Sequence, residues 1–229
     1  MEIRIASLIE GARNAEGTVI VLDVFRAFTT APIAITRGAN KIILVGEIDE
    51  ALSLKKEGLG DICIGEVGGQ KPIGFDYGNS PFELSQADIN GKTLIQSTRA
   101  GTVGVNTVTK AGKIYIGSLV IAQATVNAIL RTPPKLVTIV AMGVEGKERS
   151  DEDEQCALYM RNLLRGETPS HEAVSALILC GEESKKYDDP EQPQFHPKDR
   201  DIALKIDSIP FAITVSKENG LLVARRNKY

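Results

Sequence analysis

The sequence predicts an α/β protein of three layers, in which helices cover both faces of a largely parallel or mixed sheet. Short apolar runs rich in β-branched residues recur along the chain, as they do in buried parallel strands. Segments with the apolar spacing of helices follow these runs after short connections. Because no repeat or low-complexity linker interrupts the pattern, residues 1–229 are predicted to form a single domain.

The first two thirds of the chain supply most of these alternating elements. The run TVIVLDV is nearly continuous in apolar residues, which predicts a strand covered on both faces. This run and similar ones predict strands at residues 18–24, 41–47, 61–66, 92–98, 113–118 and 135–143. The intervening spacing predicts helices at residues 25–38, 49–58, 100–112, 120–132 and 151–166.

The last third of the chain differs from this pattern. Residues 170–187 have the spacing of one helix, and a polar, proline-containing loop separates them from a short predicted helix at 198–207. Two apolar runs then flank the turn residues Glu218, Asn219 and Gly220, which predicts a C-terminal β-hairpin over 211–227. We expect this hairpin to pair at an edge of the sheet.

Composition argues against several classes of function. A formal net charge of −3 gives no electrostatic case for nucleic acid or an anionic membrane surface. No apolar run approaches the roughly 18 residues that span a bilayer, and the opening MEIRIASLIEGARN does not resemble a signal peptide. Three widely spaced cysteines imply no disulfide framework, so a reducing, cytoplasmic compartment is expected. Two histidines disfavour a zinc site or a Ser-His-Asp hydrolase.

The segment GEVGGQKPIGFDYGNSPFE, residues 65–83, combines flexible residues with oxygen ligands. Its glycines and prolines are unsuited to a long helix or a central strand. It carries Glu66, Asp76, Asn79 and Ser80, whose side chains can bind metals or phosphates. Taken alone, the segment fits a surface connection with turns at Asp76 and Asn79 equally well.

Polar side chains also follow the predicted strands, where ligands bind in open α/β sheets. These groups are Asp23, Arg26, Glu47, Glu66, Thr98, Arg99, Thr102, Ser118 and the acids at 151–153. Each has a structural alternative: Asp23 could cap a helix, the arginines could be ion-pair partners, and the acids could complement a helix dipole. The chain has neither GxxxxGK[ST] nor a strand-placed GxGxxG motif. Hard oxygen ligands beside arginines suit Mg²⁺ and a phosphorylated substrate.

The chain resembles the 2-phosphosulfolactate phosphatases of the ComB type. The matching segments are VLDVFRAFTT, residues 65–83, the loop 98–102, SDEDEQCA and FHPKD, in that order and over most of the chain. The resemblance implies a three-layer α/β fold and Mg²⁺-dependent hydrolysis of 2-phospho-3-sulfolactate to 3-sulfolactate, a step towards coenzyme M. The chain departs from the family pattern at residues 99–102, where Thr-Asn-Gly-Thr is usual, and at the acidic helix start after Ser150.

These observations assign expected roles to individual residues. The predicted catalytic residues are Asp23, Glu66 and Asp76. The predicted metal ligands are Asp23, Asp76, Glu152 and Asp153. The predicted substrate-binding residues are Arg26, Asn79, Ser80, Arg99, Gly101 and Thr102. Attack by water and a first aspartyl-phosphate step at Asp23 both stay open, as does a homo-oligomer. The alternative function is a non-catalytic module that binds an anion or metabolite on the same fold.

Overall fold

The computed structural model describes residues 1–227, which form one nine-stranded mixed sheet flanked by helices. The strands are β1 (Glu2–Ser7), β2 (Glu16–Leu22), β3 (Lys41–Val45), β4 (Ile62–Gly65), β5 (Thr93–Ser97), β6 (Lys110–Gly117), β7 (Leu136–Ala141), β8 (Ile213–Glu218) and β9 (Leu221–Arg226). The helices are α1 (Leu8–Asn14), α2 (Ala27–Thr36), α3 (Ile48–Lys56), α4 (Pro81–Gln86), α5 (Gly101–Thr107), α6 (Ala122–Leu130), α7 (Asp151–Leu164), α8 (His171–Leu179), α9 (Glu182–Lys185) and α10 (Pro197–Ala203). Short 3₁₀ turns lie at Leu119–Ile121 and Lys186–Asp188.

The sheet consists of two parallel blocks joined by the C-terminal hairpin. The strand order is β1-β7-β2-β6-β8-β9-β3-β5-β4. Strand β8 pairs antiparallel with β6, with Ile213 opposite Ile116, and β9 pairs antiparallel with β3, with Val223 opposite Ile43. The predicted hairpin is therefore confirmed, but its expected position at a sheet edge is wrong. Apolar residues on both hairpin strands are buried, because both strands lie at the centre of the sheet.

The hairpin also reverses the direction of one block relative to the other. A simple parallel sheet would bring all the carboxyl ends to one edge, as expected from the sequence, whereas here β3, β5 and β4 run opposite to β2. The carboxyl ends of β2 and β5 still come together across the twisted sheet, since the Gly101 N–H after β5 donates to Asp23 Oδ2 after β2 at 2.7 Å.

Helices cover both faces of the sheet, as predicted. Along β2, Val19 and Val21 pack into a core with α1, α2, α4 and α5, whereas Ile20 and Leu22 face a second core with α6, α7 and α8. Helix α3 covers the opposite block around Cys63 in a third cluster. Alternate residues of β2 are thus buried on opposite faces, which explains its continuous apolar sequence.

Several element boundaries differ from the predictions. Strand β1 and helix α1 occupy the N-terminal segment, for which no element was predicted. The sequence of β1 is not continuously apolar, because β1 is an edge strand with polar residues facing outward. Helix α5 ends at Thr107 since the following residues pair with the start of β2. The predicted helix 170–187 is interrupted at Gly181 and continues as α9. Within residues 1–227, no helix combines the length and apolar character needed to cross a bilayer.

Candidate active site

A cavity of about 250 Å³ lies where the carboxyl ends of β2, β4, β5 and β7 meet. One wall comes from the return segment, residues 183–195, which leads from α9 towards α10. The ionisable lining residues are Asp23, Arg26, Glu66, Arg99, Glu145, Glu152, Glu183 and Lys186. Carboxylates outnumber cations in this lining, so a cation held among them would reduce their mutual repulsion.

Asp23 follows β2 and anchors the buried end of the cavity. Its Oδ1 accepts a hydrogen bond from the Ala27 N–H at 2.9 Å, and its Oδ2 accepts the Gly101 N–H. A Cβ at position 101 would lie 2.7 Å from Asp23 Oδ2, so this approach requires glycine. Burial raises the pKa of Asp23 to about 6, and the charge of Glu66 adds to this rise against the two N–H donors.

Glu66 joins the ends of β4 and β5. Its Oε1 accepts the Arg99 N–H at 2.9 Å, and its Oε2 accepts the Gly69 N–H at 2.8 Å. The carboxylate is therefore held by two loops at the cavity wall. Each oxygen keeps a further acceptor position for a ligand or a water proton.

The Arg99 side chain lines the cavity and is partly exposed. Its Nη2 donates to the Gly46 carbonyl at 2.9 Å, and its Nη1 lies 3.7 Å from Glu47 Oε2. Its Nε is buried and has no hydrogen-bond partner among residues 1–227. Since Nη1 makes no hydrogen bond to residues 1–227, the guanidinium keeps donor capacity for an anion in the cavity.

Helix α7 begins with two buried acids that differ in their surroundings. Asp153 accepts the Val24 N–H at 2.7 Å on Oδ1 and the Gly143 N–H at 2.8 Å on Oδ2, which ties β2 to the loop after β7. Glu152 instead lines the cavity. Burial raises the pKa of Glu152 to about 8, and the charges of Glu183 and Asp23 raise it further. Burial also raises the pKa of Asp153, and the negative charges of Glu152 and Asp23 raise it further.

Arg26 fixes the return segment to the rest of the cavity. Its Nη1 donates to Asp199 Oδ2 at 2.8 Å and to the Gln194 carbonyl at 2.9 Å, while Nη2 donates to the Gly69 carbonyl at 3.2 Å. The guanidinium also lies 5.1 Å from the centre of the Phe195 ring. These contacts make Arg26 a structural anchor as well as a lining residue.

A family model described as 2-phosphosulpholactate phosphatase matches residues 3–196 of this chain. The chain belongs to the 2-phosphosulpholactate phosphatase family. It is similar to probable 2-phosphosulfolactate phosphatases from Carboxydothermus hydrogenoformans (42% identity over 132 residues, 57% of this chain and 55% of the relative) and Thermoplasma acidophilum (33% over 153 residues, 67% and 66%). A third, from Clostridium novyi, is 31% identical over 156 residues, 68% of this chain and 66% of the relative. The matches therefore span between about half and two thirds of these relatives.

In this 2-phosphosulpholactate phosphatase family member, the cavity contains six of the residues proposed from the sequence. They are Asp23, Arg26, Glu66, Asn79, Arg99 and Glu152. Asp153 and Gly101 lie behind this lining: Asp153 accepts the Gly143 N–H, and the Gly101 N–H donates to Asp23. Thr102 is buried and accepts the Thr98 N–H on its hydroxyl at 2.8 Å. The expected convergence is thus present for most, but not all, of the predicted set.

Asp76 and Ser80 lie outside the cavity lining. Asp76 accepts hydrogen bonds from Lys55 Nζ at 2.6 Å and from the Cys63 N–H at 2.7 Å. Ser80 caps α4 by accepting the Glu83 N–H at 3.1 Å. The catalytic and metal-binding roles of Asp76 and the substrate-binding role of Ser80 stay predictions, whereas the contacts described here serve the fold of the loop.

We expect Asp76→Ala to lower the free energy of unfolding by about 1–2 kcal/mol, because the Cys63 N–H loses its carboxylate acceptor. Since Asp76 lies outside the cavity, kcat should change less than about threefold. Urea unfolding and steady-state kinetics of the same preparation check both values. A folded variant without turnover would instead support the catalytic role predicted for Asp76.

Sequence reasoning missed the lining residues of the return segment, above all Glu183, Lys186 and Phe195. They do not follow a predicted strand, whereas the expected ligand-binding residues of an α/β sheet lie directly after its strands. Their position depends on the long-range pair of Arg26 with Asp199. The segment FHPKD, which begins at Phe195, matched the family, but no role followed from it for the lining residues.

Proposed function

We propose that this protein hydrolyses 2-phospho-3-sulfolactate to 3-sulfolactate and phosphate, with Mg²⁺ bound by Asp23 and Glu152. The observation that carries the proposal is the cavity in which buried carboxylates lie beside arginine side chains. Among residues 1–227, no three His, Cys, Asp or Glu side chains form a ready-made metal cluster. Mg²⁺ sites often use one or two carboxylates, with water and substrate phosphate completing the shell, so this donor set fits the ion.

The lining residues of the cavity have separable tasks in the proposed reaction. A bound Mg²⁺ would supply neutralisation of phosphoryl charge and orientation of a water molecule. Asp23 is held rigidly by two N–H donors, so its free acceptor positions are fixed towards the cavity. Glu66 is held in the same way and can accept a proton from water. Arg99 lines the cavity with a partly exposed side chain, so its guanidinium can donate to an acidic group of the substrate.

The other predicted ligands have smaller parts in this proposal. Asp153 does not line the cavity and its two oxygens accept the Val24 and Gly143 N–H groups, so we assign it the task of positioning these residues around Asp23. The N–H groups of Gly101 and Thr102 are bonded to Asp23 and Thr98, which leaves them unsuited to phosphate binding in this arrangement. A homo-oligomer stays a prediction.

A second candidate function is a non-catalytic module that binds an anionic metabolite. Three N–H groups of the loop 99–102 are already bonded to side chains, which favours this alternative because fewer main-chain donors remain for a phosphoryl group. The charged cavity would then hold an acid without catalysing hydrolysis. The two functions differ in turnover and in its dependence on Mg²⁺.

We expect the protein to release phosphate from 2-phospho-3-sulfolactate with Mg²⁺ and to lose at least about 95% of this turnover in excess EDTA. Released phosphate measured over a panel of small phosphate esters tests the reaction and the substrate together. Restoration by added Mg²⁺ controls for damage by the chelator. Calorimetric binding of the same esters without phosphate release would favour the binding module.

A further inference from the structure

The three cationic side chains of the cavity differ in the partners that hold them. Arg26 and Arg99 both donate to backbone carbonyl oxygens, which fixes their guanidinium groups against the main chain. Lys186 Nζ donates to Glu183 Oε2 at 2.6 Å, and no backbone carbonyl within residues 1–227 accepts from it. Lys186 is therefore the lining cation that can change partner without breaking a hydrogen bond to the main chain.

Lys186 lies nearer to solvent than the proposed phosphate-binding end of the cavity. Its side chain is 30% exposed, compared with 6% for Asp23 and 5% for Glu152 as whole residues. Its ammonium group lies 5.8 Å from the centre of the Phe195 ring, which keeps the side chain along the cavity wall. A phosphoryl group bound at Asp23 and Glu152 would leave the remaining part of the substrate pointing towards this rim.

Two cations at the rim match two acidic groups of different shape. The arginine fork of Arg99 suits a planar carboxylate, which can accept two parallel hydrogen bonds. The ammonium group of Lys186 is a compact charge with three rotatable donors, and this suits the three oxygens of a sulfonate. When the sulfonate binds, Lys186 would leave Glu183 and pair with the sulfonate, so that one ion pair replaces another.

We propose that Lys186 is the specificity-determining residue that binds the sulfonate of the substrate. This inference rests on the proposed function, and it adds the residue that separates a sulfonated from an unsulfonated substrate. Specificity is a difference between two affinities, so the sulfonate must be varied together with the lysine.

The experiment compares 2-phospho-3-sulfolactate with 2-phospholactate, which lacks the sulfonate. Lys186→Met keeps the aliphatic stem beside Phe195 and removes the charge. We expect it to lower kcat/KM for the sulfonated ester by about tenfold to a hundredfold, with less than about threefold change for 2-phospholactate. Lys185→Met is the matched control: Lys185 pairs with Glu182 at the same spacing but is 61% exposed and lies outside the cavity lining.

The outcomes separate this inference from the proposed function. Equal losses on both esters, or no loss on either, would overturn the role of Lys186 while leaving the phosphatase activity established. If the wild-type protein does not hydrolyse either ester, calorimetric titration with 3-sulfolactate still tests the contact. Binding that depends on Lys186 but not Lys185 would then support the inference alone, and absence of both turnover and binding would overturn both. Thermal melting of each variant identifies losses caused by unfolding.

Discussion

Asp23→Asn is expected to lower kcat by roughly a thousandfold or more, while the protein remains folded. The substitution removes the negative charge of a buried carboxylate in the proposed Mg²⁺ site. It also places an amide NH₂ against one of the two N–H donors that the carboxylate now satisfies. Phosphate release at saturating substrate and Mg²⁺ measures the effect, because this condition separates turnover from binding.

The matched control is Asp76→Asn, which makes the same chemical change outside the cavity. A second readout does not depend on activity. The pKa of Asp23 is raised to about 6 from the ordinary 3.8, so the folded metal-free protein binds a proton more tightly than the unfolded chain. Its stabilising contribution is complete below about pH 4 and declines as the pH rises through 6. The asparagine variant should lose the part of this decline that comes from Asp23 and keep the part from Glu152 and Asp153, whose pKa values are also raised. An unchanged kcat in the folded Asp23→Asn protein would remove Asp23 from the site.

Asp199→Ala is expected to lower the free energy of unfolding by about 3–5 kcal/mol. Asp199 and Arg26 form a buried ion pair, with side-chain exposures of 0% and 3%. Asp199 also accepts hydrogen bonds from Ser80 Oγ at 2.6 Å and from the Phe82 N–H at 2.9 Å. The alanine variant would leave one buried charge and two donors without this acceptor, which is the costly way to disrupt such a pair.

Urea unfolding monitored by circular dichroism measures this loss. Asp188→Ala is the control, because Asp188 pairs with Arg200 but its side chain is 63% exposed. Little change is expected there, since water already screens the pair. An Asp199→Ala protein as stable as the Asp188→Ala protein would show that the buried pair does not hold the return segment.

Elements buried on both faces can be predicted from the sequence, whereas the edge strand cannot. Strand β2 was recognised because both of its faces are buried, so its sequence is almost continuously apolar. Strand β1 was missed because an edge strand carries outward polar residues and pairs with β7, far along the chain. The central position of the hairpin was equally hidden, since local turn residues specify the hairpin but not its neighbours.

The site residues also fall into two groups, those whose position the sequence predicts and those whose position it does not. Asp23, Glu66 and Arg99 could be proposed because each directly follows a recognisable strand. The positions of Asp76 and Lys186 could not be inferred from such spacing. Asp76 turns towards Lys55 on α3, and Lys186 reaches the cavity through a segment anchored by a distant ion pair. Side-chain contacts between remote segments decided these cases.

The central position of the hairpin has a consequence for synthesis on the ribosome. Strands β6 and β3 each have one ladder that only β8 or β9 completes, and Ile43 pairs with Val223 across most of the chain. Such distant pairing slows folding, because loop closure precedes the contacts that stabilise it. Until residues 213–226 emerge, the nascent chain exposes two apolar strand edges that can pair with other chains. Slower translation or added chaperone is therefore expected to change the yield of folded protein.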